Sequence, residues 1–310
     1  MKAWASHLTL LGLLAVSGFL LGDYHQGNLA RIMVLAVYAT GYNILFGYTG
    51  LLSLGHAMFF AAGLYGMGLS IRFLDFGPVS GFLGGMVCGA LLAALLGALA
   101  LRAKGVAFMI VTLMFAQAVY LTVLYFGEYT RGDEGFVLQP DGRVLLGIPL
   151  SEADPRFWAA FVLFAVAVVV SLWIVRHPFG KTLVAIRENE ARAQMIGYDT
   201  FRFKWAAVIL SGTFSAASGA AYGLLFGYVG ASFASVQYSI FPLLWVLLGG
   251  AGTVVGPFIG TLFMFYLIDF SSGLTTAYML VAGVALVLLT LFAPGGTAGE
   301  IRKRWFRGLP

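Results

Sequence analysis

The residues able to carry chemistry are few and scattered. The 310-residue chain holds four histidines, one cysteine and 13 acids against 18 lysines and arginines. Gly180-Lys181-Thr182 has the form of the end of a phosphate-binding loop, whose amides and lysine would cradle a nucleotide. That loop needs a glycine five residues earlier, and Val175 stands there. No serine has glycines two residues to either side, as a nucleophile elbow requires, and no His-Glu-x-x-His pattern occurs. Cys88 has no second cysteine to pair with. No catalytic residue, metal or cofactor is expected on this chain. His56 and Asp269 are the ionisable groups nearest to apolar stretches, and a charge buried in lipid is costly enough to suggest a polar pathway. His56 reads more readily as a hydrogen-bonded packing residue, and Asp269 as a helix-end residue near water.

The elements that position these residues are apolar. The chain is 60% hydrophobic and 10% charged, whereas an ordinary soluble domain carries roughly 25% charged residues. That excludes a soluble enzyme, a nucleic-acid binder and a disulfide scaffold. A spanning helix needs about 20 mostly apolar residues. Punctuation by charge, Gly and Pro gives ten spans, at 8–22, 29–46, 52–71, 80–101, 105–127, 157–175, 205–228, 238–251, 254–270 and 275–292. The first could be a signal peptide behind Lys2, but no Ala-x-Ala site follows it, so it is read as a retained span. Small residues recur every four positions at Gly81, Gly85, Gly89, Ala93 and Gly97, and at Ser211, Ser215, Gly219 and Gly223. Such stripes let helices approach closely in lipid.

Lys and Arg are retained on the cytoplasmic side. Segment 176–204 carries six cations against three acids, and segment 128–156 three cations against six acids. The first is therefore placed inside and the second outside, with both termini and the basic tail 295–310 inside. Arg31, at the edge of the 29–46 span, and Arg72 land on the outer side; no Arg or Lys is read as sitting inside a span, so nothing reads as a carboxylate clamp. Phe46-Gly47-Tyr48-Thr49-Gly50 resembles Phe226-Gly227-Tyr228-Val229-Gly230 five spans later. An inverted-topology duplication would produce that pair, and so would chance in a chain with 41 glycines. From Leu183 to Ile196 there is no Gly or Pro, and Gly197 is a stop signal. A short amphipathic helix is expected there, with Leu183, Ile186, Ala193 and Ile196 on its apolar face. It could lie on lipid headgroups or dock into a groove on a cytoplasmic partner.

Four stretches resemble the branched-chain amino acid type permeases of ATP-binding-cassette importers. They are Tyr42 through Phe60, with Gly47-Tyr48-Thr49-Gly50 and Ser53-Leu54-Gly55-His56-Ala57; Arg131-Gly132-Asp133-Glu134-Gly135-Phe136; Phe179-Gly180 through Ala185-Ile186-Arg187-Glu188-Asn189-Glu190 to Gly197; and Leu291-Phe292-Ala293-Pro294-Gly295-Gly296. The resemblance implies a single polytopic all-α domain over 1–310, type II importer-like, with a 5+5 inverted repeat in a bacterial inner membrane. It implies that Ala185, Ile186, Arg187, Glu188, Asn189, Glu190, Ala191 and Arg192, ended by Gly197, form the ATPase-coupling helix. Arg187, Glu188, Glu190 and Arg192 would be its ion-pairing face. Gly47, Gly50, Ser53, Gly55 and His56 would shape the pathway, and Arg131, Asp133 and Glu134 would dock an external solute-binding protein. The implied partners are a second, different permease, two ATPase subunits that hold ATP and Mg, and membrane lipid. The solutes would be branched-chain or other small amino acids, or alternatively urea, short amides or aromatic acids. A passive channel would need no coupling helix, and a proton- or sodium-driven carrier would need a midplane acid that no span clearly contains.

Overall fold

The computed structural model describes residues 2–145, 147–292 and 296–297. The helices are α1 (Lys2–Leu20), α2 (Asp23–Asn43), α3 (Ala57–Leu74), α4 (Pro78–Ala100), α5 (Val106–Tyr125), α6 (Gly127–Thr130), α7 (Ala153–Arg176), α8 (Pro178–Glu188), α9 (Glu190–Met195), α10 (Thr200–Phe226), α11 (Val236–Gly249), α12 (Gly256–Ser272) and α13 (Tyr278–Phe292). Their ends follow local chemistry. Pro78 and Pro178 sit at first-turn positions, where a missing N–H costs nothing. Asp199 caps α10 by accepting from Arg202 N, and Gly227, at φ +77°, ends it. Two short antiparallel pairs join β1 (Phe136–Val137) to β4 (Tyr228–Val229) and β2 (Val144–Leu145) to β3 (Ile148–Pro149).

Each of the ten apolar segments falls on a helix. Among the described residues, six helices are long and apolar enough to cross a membrane: α2 with its extension to Tyr48, α3, α4, α5, α7 and α10. α11, α12 and α13 are shorter, at 14, 17 and 15 residues. The segment expected at 52–71 starts late, because residues 49–56 are unwound and helix begins only at Ala57. α2 in turn runs past its expected end through a π-helical turn, Ile44–Tyr48. Of the expected tail only Gly296 and Thr297 are described; Arg302, Lys303, Arg304 and Arg307, with Ala293, Pro294 and Gly295 of the last resembling stretch, lie outside the described residues.

α4 shows how such a bundle is built. Its buried residues are Gly81, Gly85, Gly89, Ala93, Gly97 and Ala100, while Leu83, Val87, Leu91 and Leu95 are exposed. In water that distribution would be inverted; in lipid the leucines face acyl chains and the small residues admit neighbouring backbone. A Cβ on Gly89 or Gly85 would run into Ala216 of α10 or the Gly63 carbonyl of α3. Ser211, Ser215, Gly219 and Gly223 are likewise buried on α10. α10 runs antiparallel to α2: Ser218 Oγ donates to Val34 O at 2.6 Å, Ser211 Oγ to Gly41 O at 2.6 Å, and Phe226 reaches Arg31. The end of α2 and the end of α10, which carry the two Phe-Gly-Tyr motifs, therefore lie at opposite ends of the molecule.

Candidate functional site

The segment between α7 and α10 is an elbow of two helices, where one was expected. Asn189 breaks it, at φ −160° and ψ 99°, and its Oδ1 accepts from Arg192 N at 2.9 Å to start α9. The asparagine competes for the backbone and wins as a cap, so neither Gly nor Pro is needed for the break. Gly197, at φ +95°, closes α9, with Gly197 N donating to Gln194 O and Tyr198 N to Ala193 O. Leu183, Ile186 and Ala193 are buried as expected, but Ile196 is 69% exposed and its neighbour Met195 80%. Leu183 joins Leu45, Met58, Phe59 and Val208 in one cluster, and Phe179 stacks on Phe203 at 5.6 Å.

The four residues expected to form an ion-pairing face divide between two directions. Glu190 turns inward: Lys204 Nζ lies 2.6 Å from its Oε2, and Thr200 Oγ1 donates to its Oε1. Burial alone would raise the Glu190 carboxyl, but Lys204, Thr200 and Lys104 outweigh it and hold the carboxyl below the ordinary carboxylate range. Arg187 also turns inward, donating to the Gly47 carbonyl at the end of α2 and pairing with Glu188 at 2.7 Å. Glu188 and Arg192 stay exposed, as do Ala185 and Ala191. A cleft of about 730 Å³ opens beside this contact, lined in part by Tyr48, Lys181, Arg187 and Gly252.

Asn43, fully buried, fixes what Arg187 grips. Its Oδ1 accepts from Gly252 N at 2.9 Å, and its Nδ2 donates to Thr253 O at 2.8 Å, which ties α2 to the α11–α12 loop. Gly47 leaves the room: a Cβ there would overlap Asn43 Oδ1 and Gly252 N. At Gly50, with φ +76°, a Cβ would run into the stem of Arg187. A π-helical turn, an unwound segment and a glycine loop thus meet one arginine.

Further in, His56 is fully buried at the start of α3. Its Nε2 lies 2.7 Å from Ser211 Oγ. Ser211 already donates its only proton to Gly41 O, so His56 Nε2 is the donor to Ser211. The ring packs on Tyr42 and Phe59, and Tyr42 donates to Ser53 O at 2.9 Å. Ser53 Oγ accepts from Gly55 N, while Gly55 presses on the Thr112 carbonyl. Ser53 and His56 are therefore enclosed by protein, and the unwound backbone is satisfied from within. Toward the other end, Tyr38, Phe60, Phe233, Tyr238 and Trp245 close the middle of the molecule by ring contacts.

At that other end Arg131 sits in the left-handed region, at φ 61°, and with Arg72 and Glu134 lines a cleft of about 570 Å³. Tyr228 donates to Glu134 O, and Leu138 N to Gly227 O, so the Arg131–Asp133–Glu134 loop is fastened to the end of α10. Asp269 accepts from Tyr24 at 3.1 Å in an exposed setting.

The family described as the permease component of the branched-chain amino acid transport system matches residues 26–292. The chain belongs to that family. Its relatives include the high-affinity branched-chain amino acid transport system permease protein LivM of Escherichia coli K12, 27% identical over 292 residues, covering 85% of this chain and 67% of the relative. The Salmonella typhimurium protein of the same name is 26% identical over the same shares. A Haloferax volcanii protein named as a candidate glucose transporter permease is 32% identical over 159 residues, 47% of this chain and 46% of its own. No solved structure matches. The relatives are transporter subunits and not enzymes, so this permease is a multi-pass membrane transport component.

Sequence reasoning missed three features of the permease. Asn43 carried no signal of its role, because its partners lie about 210 residues away. Lys204 was seen as one of several loop cations rather than as the partner of Glu190. Arg31 was placed at the outer edge of the 29–46 span, yet it lies in the third turn of α2 and shares the Phe226 ring with Arg156, beside Arg143.

Proposed function

We propose that this permease is one half of the membrane channel of an ATP-driven importer, crossing the bacterial inner membrane ten times as two five-helix repeats of opposite orientation. Both termini and segment 176–204 are cytoplasmic, and segment 128–156 is external. It pairs with a second, different permease, two ATPase subunits that bind ATP and Mg, and an external solute-binding protein that meets the Arg131–Asp133–Glu134 side. The position of the two Phe-Gly-Tyr motifs at opposite ends supports the repeat. Branched-chain amino acids are the proposed solutes, in keeping with the names of the bacterial relatives.

One observation carries this reading. The elbow points Arg187 and Glu190 into the protein and leaves Glu188, Arg192, Met195 and Ile196 facing out. Two exposed apolar side chains beside charges suit insertion into a partner's groove. The inward cation then passes partner movement to the end of α2 and the Gly252 loop, where the pathway would open toward the cytoplasm. The test is Met195→Asp with Ile196→Asp in the full chain, expressed with its partners. ATPase subunits are expected to be lost on purification, and uptake with them, while the variant still folds. Unchanged co-purification would contradict docking here. Solute movement by the lone chain in liposomes without ATP would point to a channel instead.

A further inference from the structure

Three guanidinium groups converge at the external end of α2 with no acid among them. Arg31 Cζ stands 4.9 Å and Arg156 Cζ 5.5 Å from the Phe226 ring centre. Arg143, only 8% exposed, donates through Nη1 to Leu224 O at 3.4 Å and fills the space beside Gly227. Arg31 and Arg143 both lie near enough to Arg156 to repel it. Among the described residues no carboxylate pairs with any of the three. The nearest acids in sequence, Asp141, Glu152 and Asp154, are exposed, and Asp154 accepts from Trp158.

The end of α10 accounts for part of this arrangement. A helix C-terminus offers about half a negative charge; the Leu224 carbonyl takes one donor from Arg143, and the Ser151 carbonyl takes one from Arg156 Nη2. Three positive charges remain against it. The Nε atoms of Arg31, Arg143 and Arg156 are all buried without a partner, as is Asn28 Nδ2, one turn before Arg31 on α2. Every unsatisfied group named here is a donor. What completes such a site is a compact oxyanion, which guanidinium forks bind with paired, charge-assisted hydrogen bonds.

The α2 spacing says what lies behind the anion. Asn28, Arg31, Leu35, Tyr38 and Tyr42 follow at steps of three and four, so they share one helix face. Tyr222, whose ring lies 4.7 Å from that of Phe226, connects the arginines to the aromatic cluster through Phe60 and Phe233, which in turn meet Tyr238. We propose that Arg31, Arg143 and Arg156 take the carboxylate of a solute entering from outside, with its apolar body directed at the Tyr38–Phe60–Tyr238 rings. This rests on the import reading for direction only. It also replaces the expectation that the chain holds no carboxylate clamp. A phospholipid phosphate shares the oxyanion chemistry, and an apolar groove of about 330 Å³ lined by Leu224 and Leu225 lies nearby; the experiment separates the two sources.

The full-length protein, purified in detergent with its partners, is titrated with sodium 4-methylpentanoate and with 4-methylpentanamide at fixed ionic strength. The carboxylate is expected to bind about tenfold or more tightly than the amide. Arg31→Gln and Arg156→Gln should each remove that preference, while the ligand-free melting temperature stays level or rises as repulsion is relieved. In vesicles, Arg31→Gln should raise the KM of ATP-driven leucine uptake by about tenfold. Equal binding of acid and amide, or a preference that survives both variants, would overturn the site. So would native mass spectrometry showing phosphatidylglycerol retained by the wild type and lost from Arg31→Gln. If wild-type vesicles take up no leucine with ATP but the carboxylate preference persists and disappears in the variants, the import reading fails and the site stands.

Discussion

The two ends of α2 hold arginines in opposite ways. At the inner end Arg187 is spent: it bonds a backbone carbonyl, pairs with Glu188 and takes the space a side chain at Gly50 would fill. At the outer end Arg31 makes no hydrogen bond to a described residue and lies beside two more cations. The ends are about 24 Å apart at 1.5 Å per residue along α2. A satisfied cation transmits force, because its partners move with it. An unsatisfied one waits for a ligand. On the proposed reading, one helix serves as the handle for a motor at one end and as a receiver for an anion at the other.

The inner end should therefore be fragile where the outer is tolerant. The largest expected effect is that of Asn43→Leu, which keeps the branched shape, adds bulk and leaves Gly252 N and Thr253 O without their partner. Leaving buried groups unpaired costs about 1–3 kcal/mol each, so a loss of about 3 kcal/mol or more is expected in thermal unfolding, with uptake abolished. Its outer counterpart, Arg31→Gln, should lose no stability. If both variants unfold alike, the contrast is wrong. A smaller effect is expected from Asn189→Ala, which removes the cap between α8 and α9. It should cost about 1 kcal/mol and show as faster amide exchange confined to residues 190–196.

The smallest effect sharpens the account of the elbow. The Glu190 carboxyl titrates below its ordinary value, so its contribution is complete above the ordinary carboxylate range and disappears as pH falls through the lowered one. Wild type should exceed Glu190→Gln in melting temperature at neutral pH, and the gap should close in acid. A gap that does not change with pH would mean that the Lys204 pair contributes nothing through charge.

Much of the frame was legible because lipid imposes it. Apolar runs cut by Pro78, Pro178, Gly197 and Gly227 became helices at those cuts, and the Gly81–Gly97 stripe became the buried face of α4. The unwound stretch before His56 was misread as span because Leu51, Leu52 and Leu54 are apolar, although their backbone is held by tertiary bonds such as Thr112 Oγ1 to Leu54 N. The break at Asn189 left one signal, an asparagine followed by Glu190, which suits a helix start. Asn43 and the three arginines left none, since their meaning is in partners remote in sequence. Periodicity reads which face a residue is on; it does not read what comes to meet it.

The central claim is that Arg187 links the α8–α9 elbow to the core. Arg187→Ala, assembled with its partners in vesicles, tests it by measuring ATP hydrolysis and solute uptake together. The ATPase subunits should remain bound and hydrolysis should continue, while solute moved per ATP falls about tenfold or more, the scale of a lost charged hydrogen bond. Uptake per ATP equal to that of the wild type would show that the elbow drives the permease through some other contact.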